Sequence, residues 1–125
     1  MGTVLSADLL RGYTEDIILG RLEQGDSYGY QINKDVKSIA SACGQDFEMK
    51  EATMYLAFRR LEEQGCITSY WGSEGSGARR RYYSITSVGQ GRLQEARVTW
   101  DKTRQLLEQL LGSKNTAESG EERES

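Results

Sequence analysis

Glu51-Ala52-Thr53-Met54-Tyr55-Leu56-Ala57-Phe58-Arg59-Arg60-Leu61-Glu62 reads as a helix with two unlike sides. At about 100° per residue, Met54, Ala57, Phe58 and Leu61 cluster on one side and can bury against neighbouring helices. Glu51, Ala52, Tyr55 and Arg59 fall on the opposite, exposed side. The pattern predicts a helix from about Lys50 to Gln64, stopped by Gly65. An exposed tyrosine and arginine, following Lys50 at a positive helix terminus, present donors that suit phosphate or base edges. A plain solvated amphipathic face accounts for the same pattern.

Upstream, residues 7–23 read as a first helix. Leu9, Leu10, Tyr13 and Ile17 fill one arc, and Ile18, Leu19 and Leu22 fill another, which calls for two burial partners. Gly25 ends that helix. Asp26-Ser27 supplies capping side chains for a second helix over about 27–42, with the stripe Ile32, Val36, Ile39 and Cys43. Gly44 closes it, and Phe47-Glu48-Met49 is a short extended lead into the helix quoted above.

Downstream the period changes. Ile67–Trp71 and Arg80–Ile85 are rich in β-branched and aromatic residues and predict two strands. Gly72-Ser73-Glu74-Gly75-Ser76-Gly77 between them is a polar loop too glycine-rich for regular structure. Thr86 then caps a last helix, Ser87 to Leu111, in which Leu93, Ala96, Trp100, Thr103, Leu107 and Leu110 form a heptad-like seam. Gly89 and Gly91 weaken its first turns. The remaining tail is polar and acidic and predicts disorder.

The result is a mainly α chain with a small β-hairpin, laid out as a winged helix-turn-helix plus a long C-terminal dimerisation helix. Its expected parts are a winged domain at 7–86, a dimerisation helix at 87–111 and a disordered acidic tail at 112–125. The hairpin strengthens a nucleic-acid reading. Arg79-Arg80-Arg81 follow the glycine tip at Gly77, and three adjacent guanidiniums repel one another unless an anion neutralises them. Alternation along a strand sends at least one of the three to the other face. A solvated strand edge is the competing account.

Several stretches together resemble the PadR-type transcriptional regulators. They are Glu51–Glu62, Gly25-Asp26-Ser27-Tyr28-Gly29-Tyr30, Ile67-Thr68-Ser69-Tyr70-Trp71-Gly72 and Arg79-Arg80-Arg81-Tyr82-Tyr83-Ser84-Ile85-Thr86. The likeness spans roughly Leu9 to Leu110 and is nearest the short group with one C-terminal dimerisation helix, which includes regulators of multidrug efflux. It departs at Ala52 and Leu56, where that family usually carries Gly and Pro. The resemblance implies a ligand-responsive, sequence-specific repressor, acting as a homodimer on an inverted-repeat operator in double-stranded DNA. Expected DNA-binding residues are Tyr28, Lys50, Glu51, Ala52, Thr53, Tyr55, Arg59, Arg60, Gly77, Arg79, Arg80 and Arg81. The dimer interface is expected at Leu10, Leu93, Ala96, Trp100, Thr103, Leu107 and Leu110.

Trp100 matches the aromatic position that, in that group, faces its twin across a pore where flat drugs stack. A planar aromatic ligand is therefore expected among Leu9, Tyr13, Asp16, Ala96, Trp100, Asp101 and Arg104. A tryptophan on a heptad seam is also an ordinary packing residue, and both readings stand. Small Ala96 and Thr103 beside it favour open space.

Composition bounds the rest. The chain has 125 residues, 37% hydrophobic and 28% charged, a size and balance for one domain with a core. It carries no histidine, no G-x-S-x-G, no phosphate-cradling glycine loop and no metal-ligand spacing, so neither catalysis nor a metal or other cofactor is expected. Cys43 and Cys66 are expected as small core residues. No apolar run reaches the roughly 18–20 residues of a membrane span and the N-terminus does not resemble a signal peptide, so a cytoplasmic protein without membrane contact is expected. The net charge of −3 opposes DNA binding and suits the alternative of a winged-helix protein-interaction module. Locally the balance reverses: from Lys50 to Arg81, Lys50, Arg59, Arg60, Arg79, Arg80 and Arg81 outnumber Glu51, Glu62, Glu63 and Glu74.

Overall fold

The structure, a computed structural model, describes residues 7–74 and 77–112. The order is α1 (Ala7–Arg11), α2 (Thr14–Glu23), β1 (Ser27–Tyr28), α3 (Gly29–Ala42), α4 (Glu51–Glu63), β2 (Ile67–Glu74), β3 (Ala78–Ile85) and α5 (Ser87–Leu111). The chain divides into two compact units, Met1–Leu93 and Gln94–Ser125. The expected disordered tail lies outside the described residues, apart from Gly112.

The first unit holds the core. Ile18, Leu19 and Leu22 from α2, Ile32 and Val36 from α3, and Met54, Ala57, Phe58 and Leu61 from α4 are buried together with Met49, Cys66, Ile67, Tyr83 and Leu93. The apolar side expected for α4 is the buried one. One of its cross-element contacts is aromatic: the Phe58 ring stacks on Tyr83 of β3, with centroids 4.0 Å apart and planes 14° from parallel. Offset stacking adds about 0.5–1.5 kcal/mol beyond area burial.

The sheet has three strands in the order β1-β3-β2, all antiparallel. Central β3 pairs Tyr82 with Tyr28 on one side and with Tyr70 on the other. The hairpin ladder reaches Glu74 and Ala78, further than the strands expected at Ile67–Trp71 and Arg80–Ile85. The glycine-rich stretch is therefore partly strand. Gly72 takes part because a Cβ there would come within 2.9 Å of the Tyr82 ring, which lies over the bare backbone.

Three other expectations are corrected. The first helix is two, interrupted at Gly12-Tyr13, with the Thr14 hydroxyl donating to the Arg11 carbonyl at 2.8 Å. Asp26-Ser27 does not cap the second helix. Ser27 joins β1, and the Asp26 carboxylate accepts from the Tyr70 hydroxyl at 2.8 Å, which holds that phenol's pKa above its usual value. The stripe on α3 ends early: Ile39 is 47% exposed and Cys43 is exposed, while Cys66 is buried as expected.

Two hydrogen bonds fix the connection that delivers α4. Asn33 Nδ2 donates to the Met49 carbonyl, and Met49 N–H donates to Asn33 Oδ1, both at 2.8 Å. Past α4, Thr86 joins the sheet to α5. Its N–H donates to the Cys66 carbonyl at 3.0 Å, its hydroxyl donates to the Gly65 carbonyl at 2.6 Å, and Gly89 N–H donates back to that hydroxyl at 3.1 Å. Thr86 is thus the expected N-cap.

Gly89 sits where α5 crosses this corner. A Cβ there would lie 2.2 Å from the Cys66 carbonyl oxygen, a backbone atom with little room to yield, whereas nothing lies within 4 Å of a Cβ on Gly91. Gly89→Ala is expected to destabilise the protein by about 1–3 kcal/mol or more through overpacking. Gly91→Ala is expected to stabilise it by about 0.5–1 kcal/mol through helix propensity. Denaturant midpoints of the two variants, with opposite signs, check this corner.

Candidate nucleic-acid interface

With Met54, Phe58 and Leu61 turned inward, α4 presents Glu51, Ala52, Tyr55 and Arg59 outward, and all four are exposed, as is Lys50 ahead of them. Tyr55 does not project freely. Its ring meets the edge of Phe58 at 5.4 Å, and a Cβ on Gly29 would come within 2.6 Å of the Tyr55 hydroxyl. Gly29, buried at the start of α3, thereby lets α4 carry a tyrosine hydroxyl close against the α3 terminus.

Tyr28, Gly29, Tyr30, Tyr55, Arg79, Arg80 and Arg81 line one open cleft of about 360 Å³. These residues come from β1, the start of α3, α4 and β3. Strand alternation sorts the arginines as their spacing requires. Arg80 lies over the Tyr28 ring, 4.8 Å from its centroid, and Tyr28 in turn meets Tyr82 edge-on at 5.3 Å. Arg79 and Arg81 lie over Trp71 of β2, at 4.8 and 5.9 Å. A guanidinium stacked on an aromatic face retains in-plane donors that suit bidentate capture of phosphate, although Arg81 gives one of its own to Ser69. Gly77, exposed at the hairpin turn with φ +88°, takes the left-handed conformation that reverses the chain.

Arg60 and Thr53 point elsewhere. They line a second cleft of about 370 Å³ with Arg11, Gly12, Thr14, Glu15, Asp16, Leu56, Ala57 and Arg92. Arg60 stands 3.9 Å from Glu15, which also accepts from Arg92, and Arg92 stands 3.9 Å from Asp16. Sequence reasoning gave no role to Arg92 or Asn33 and read Asp26 as a helix cap, because each acts on a partner distant along the chain.

The residues expected to hold a ligand fall in both units. Leu9 and Tyr13 are exposed, and Asp16 is half-buried, in the first unit. In the second, Trp100 is 51% exposed, and Ala96 and Thr103, one turn to either side, are half-buried. Arg104 bonds to Asp101 at 2.7 Å and to Glu108 at 3.2 Å along the helix, and Gln105 donates to Asp101 at 2.9 Å. Of the residues expected at a dimer interface, Leu10 is half-buried and Leu107 and Leu110 are exposed. Leu93 is 4% exposed and already belongs to the core of its own chain. Among the described residues no group of three or more His, Cys, Asp or Glu side chains could hold a metal, and no helix is long and apolar enough to cross a membrane.

Residues 18–95 match the family model described as the transcriptional regulator PadR-like family. A curated relative, an uncharacterized protein from Lysinibacillus sphaericus, is 34% identical over 108 residues, which is 86% of this chain and 96% of that one. A transcriptional regulator from Clostridium thermocellum is 39% identical with a TM-score of 0.74, over 84% of this chain and 96% of its own. A PadR family transcription regulator from Clostridium difficile R20291 is 37% identical with a TM-score of 0.70, over 81% of this chain and all of its own.

Asp16 reports on the charge network beside α4. Burial raises its pKa above the ordinary 3.8, Arg92 opposes the rise and Glu15 adds to it. A carboxyl whose pKa is raised by folding favours the folded state below its unfolded pKa, and that contribution is lost as pH rises through the folded value. Asp16→Asn is therefore expected to gain stability relative to the parent as pH climbs from below 3.8 to 7. Thermal midpoints measured for both proteins across that range check the sign.

Proposed function

The chain belongs to the PadR-like family of transcriptional regulators, and from that premise we propose that it is a homodimeric, ligand-responsive repressor that reads an inverted repeat in double-stranded DNA. One observation carries the reading: Tyr28, Tyr55, Arg79 and Arg80, from three separate elements, surround a single cleft beside the exposed face of α4. In this account α4 enters the major groove, with Lys50, Glu51, Ala52, Tyr55 and Arg59 toward the bases. The hairpin follows the backbone with Arg79 and Arg80 on phosphates, and Tyr28 supports the contact from the start of α3. A regulator of this kind works in the cytoplasm, where its DNA is, and its family is not one of enzymes.

The homodimer reading rests on the second unit. Leu106, Leu107, Leu110 and Leu111 are exposed along α5, with Leu110 at 70%. A helix of about twenty residues gains most of its stability from burying an apolar face, so an uncovered leucine stripe calls for a partner. A second copy offers the same stripe, and a two-fold pair presents its two reading helices about one DNA turn apart. Leu93, buried at home, has no part in this interface. Trp100 is the ligand platform in the same reading, because small neighbours leave room beside its ring for a planar aromatic compound. Efflux or stress genes are the targets this chemistry suits.

DNA binding is tested by substitution at the two kinds of contact. Replacing Tyr55 or Arg59 with alanine is expected to cost about 1–3 kcal/mol on the specific site and much less on random duplex. Replacing Arg79 or Arg80 is expected to weaken both, and to flatten the slope of log affinity against log salt by about 1 per phosphate contact. A double Arg79→Ala, Arg80→Ala protein that keeps the parent's affinity and slope would remove the hairpin from the interface. A parent that binds duplex without salt dependence would favour a protein-interaction module instead.

The assembly and its ligand are tested together. Sedimentation at micromolar concentration is expected to give about twice the 14.1 kDa chain mass. Leu110→Asp is expected to shift it toward the monomer. Planar dyes are expected to quench tryptophan emission strongly in the parent and weakly in Trp100→Ala, where Trp71 alone remains. Equal dye affinity in both would make Trp100 a packing residue.

A further inference from the structure

Glu62 stands on α4 one turn beyond Phe58, so it reaches the sheet just past the Phe58–Tyr83 stack. Its carboxylate accepts from the Ser69 hydroxyl at 2.7 Å, and Arg81 Nη2 lies 3.6 Å from its other oxygen. Arg81 Nη2 also donates to the Ser69 hydroxyl oxygen at 3.0 Å, closing a three-membered ring of α4, β2 and β3 groups. Tyr83, two residues from Arg81 on the same face of β3, is buried, and that burial pushes its phenol pKa up. The ring thus sits at the edge of the core, beside the buried Tyr83.

We propose that Glu62 is a positioning residue for DNA reading: it ties Arg81, at the wall of the cleft, to the C-terminal end of α4, fixing the hairpin's angle on that helix and offsetting the charge of one of the three adjacent arginines. The inference rests on the DNA-binding reading above and concerns specificity within it. Phosphate contacts strengthen binding on every sequence, so a withheld cation lowers affinity and salt dependence on operator and random duplex alike, while a fixed hairpin holds α4 in register for base contacts. Arg79 and Arg80, which lie over the rings of Trp71 and Tyr28, carry the hairpin's outward charge. Glu62 therefore acts by two routes: a smaller outward charge lowers general affinity, and a fixed hairpin improves the ratio of specific to random binding. An exposed ion pair contributes little to stability, and both side chains are partly exposed, so the effect is one of geometry and charge rather than folding.

The test uses Glu62→Gln, which keeps an acceptor for Ser69 and removes the charge from Arg81, alongside the double variant Glu62→Gln, Arg81→Ala. Thermal unfolding first establishes that both fold. In the free protein, amide exchange across Arg79–Tyr82 is expected to quicken several-fold in Glu62→Gln. With a random-sequence duplex, the Glu62→Gln slope of log affinity against log salt is expected to steepen by about 0.9 for each hairpin on the DNA, and the double variant is expected to lose that increment. Discrimination of the operator over random duplex is expected to fall in both. A Glu62→Gln protein with the parent's salt slope overturns the withheld charge, and one with the parent's amide exchange overturns the fixed hairpin. Should the parent show no salt-dependent DNA binding, the functional reading fails, and the exchange measurement alone still judges the ring.

Discussion

The stack of Phe58 on Tyr83 is the contact on which the remaining geometry depends. Tyr83 sits on the central strand, so whatever it holds is referred at once to β1 and β2. Phe58 sits mid-helix, and burying it on the sheet fixes the rotation of α4 about its own axis. Once that rotation is set, helical periodicity leaves Glu51, Ala52, Tyr55 and Arg59 outward with no further choice. The same anchor sets strand parity: Tyr83 inward puts Arg81 and Arg79 on its face and Arg80 with Tyr82 on the other. One aromatic pair thus decides both which helix residues face outward and which arginines share a face of the hairpin.

Small residues let the elements come close enough for this arrangement. Gly29 admits the Tyr55 hydroxyl at the start of α3, Gly72 admits the Tyr82 ring over β2, and Gly89 admits the Cys66 carbonyl under α5. At each, the missing Cβ is a packing requirement between two elements. Gly91, two residues from Gly89 and facing open space, has no such duty. Glycine in the first turns of α5 weakens the helix, as the sequence implies, and at Gly89 that cost is the condition for joining the helix to the sheet corner.

The elements legible in the sequence were those with a sustained period. The 3.6-residue pattern located α4 to within a residue at each end, and the switch to β-branched and aromatic residues located the hairpin. The long α5, capped at Thr86, was equally clear. What stayed hidden has a common physical cause, since it depends on partners far along the chain. Two residues of β1 have no periodicity of their own and form only because β3 offers an edge. Asp26 reads as a cap from its neighbours but accepts from Tyr70, 44 residues away. Asn33, Glu62 and Arg92 likewise act through tertiary partners. Ile39 and Cys43 continue a stripe that no element covers within the described chain, and periodicity alone cannot say where cover ends. Of the candidate site, the types of residue were legible, whereas the separation of Arg60 and Thr53 from the cleft required the helix rotation.

An acidic chain that binds DNA must keep its acids away from the phosphates or occupy them. The structure shows the second device near α4. Glu15 and Asp16 face Arg92, with Arg60 near Glu15, and Glu62 faces Arg81, so these carboxylates act on cations of the same chain. Fields of paired charges fall off faster than those of single ones, and at physiological salt they fade within about 8 Å. Seen from the cleft, the nearby groups are then Arg79 and Arg80 on their aromatic rings, Arg81 with its charge offset by Glu62, and the hydroxyls of Tyr28 and Tyr55. A net charge of −3 is compatible with that surface because the potential a phosphate meets is set by the last few ångströms. Internal pairing thus answers the objection that composition raises against DNA binding, because these acids are engaged with arginines of their own chain.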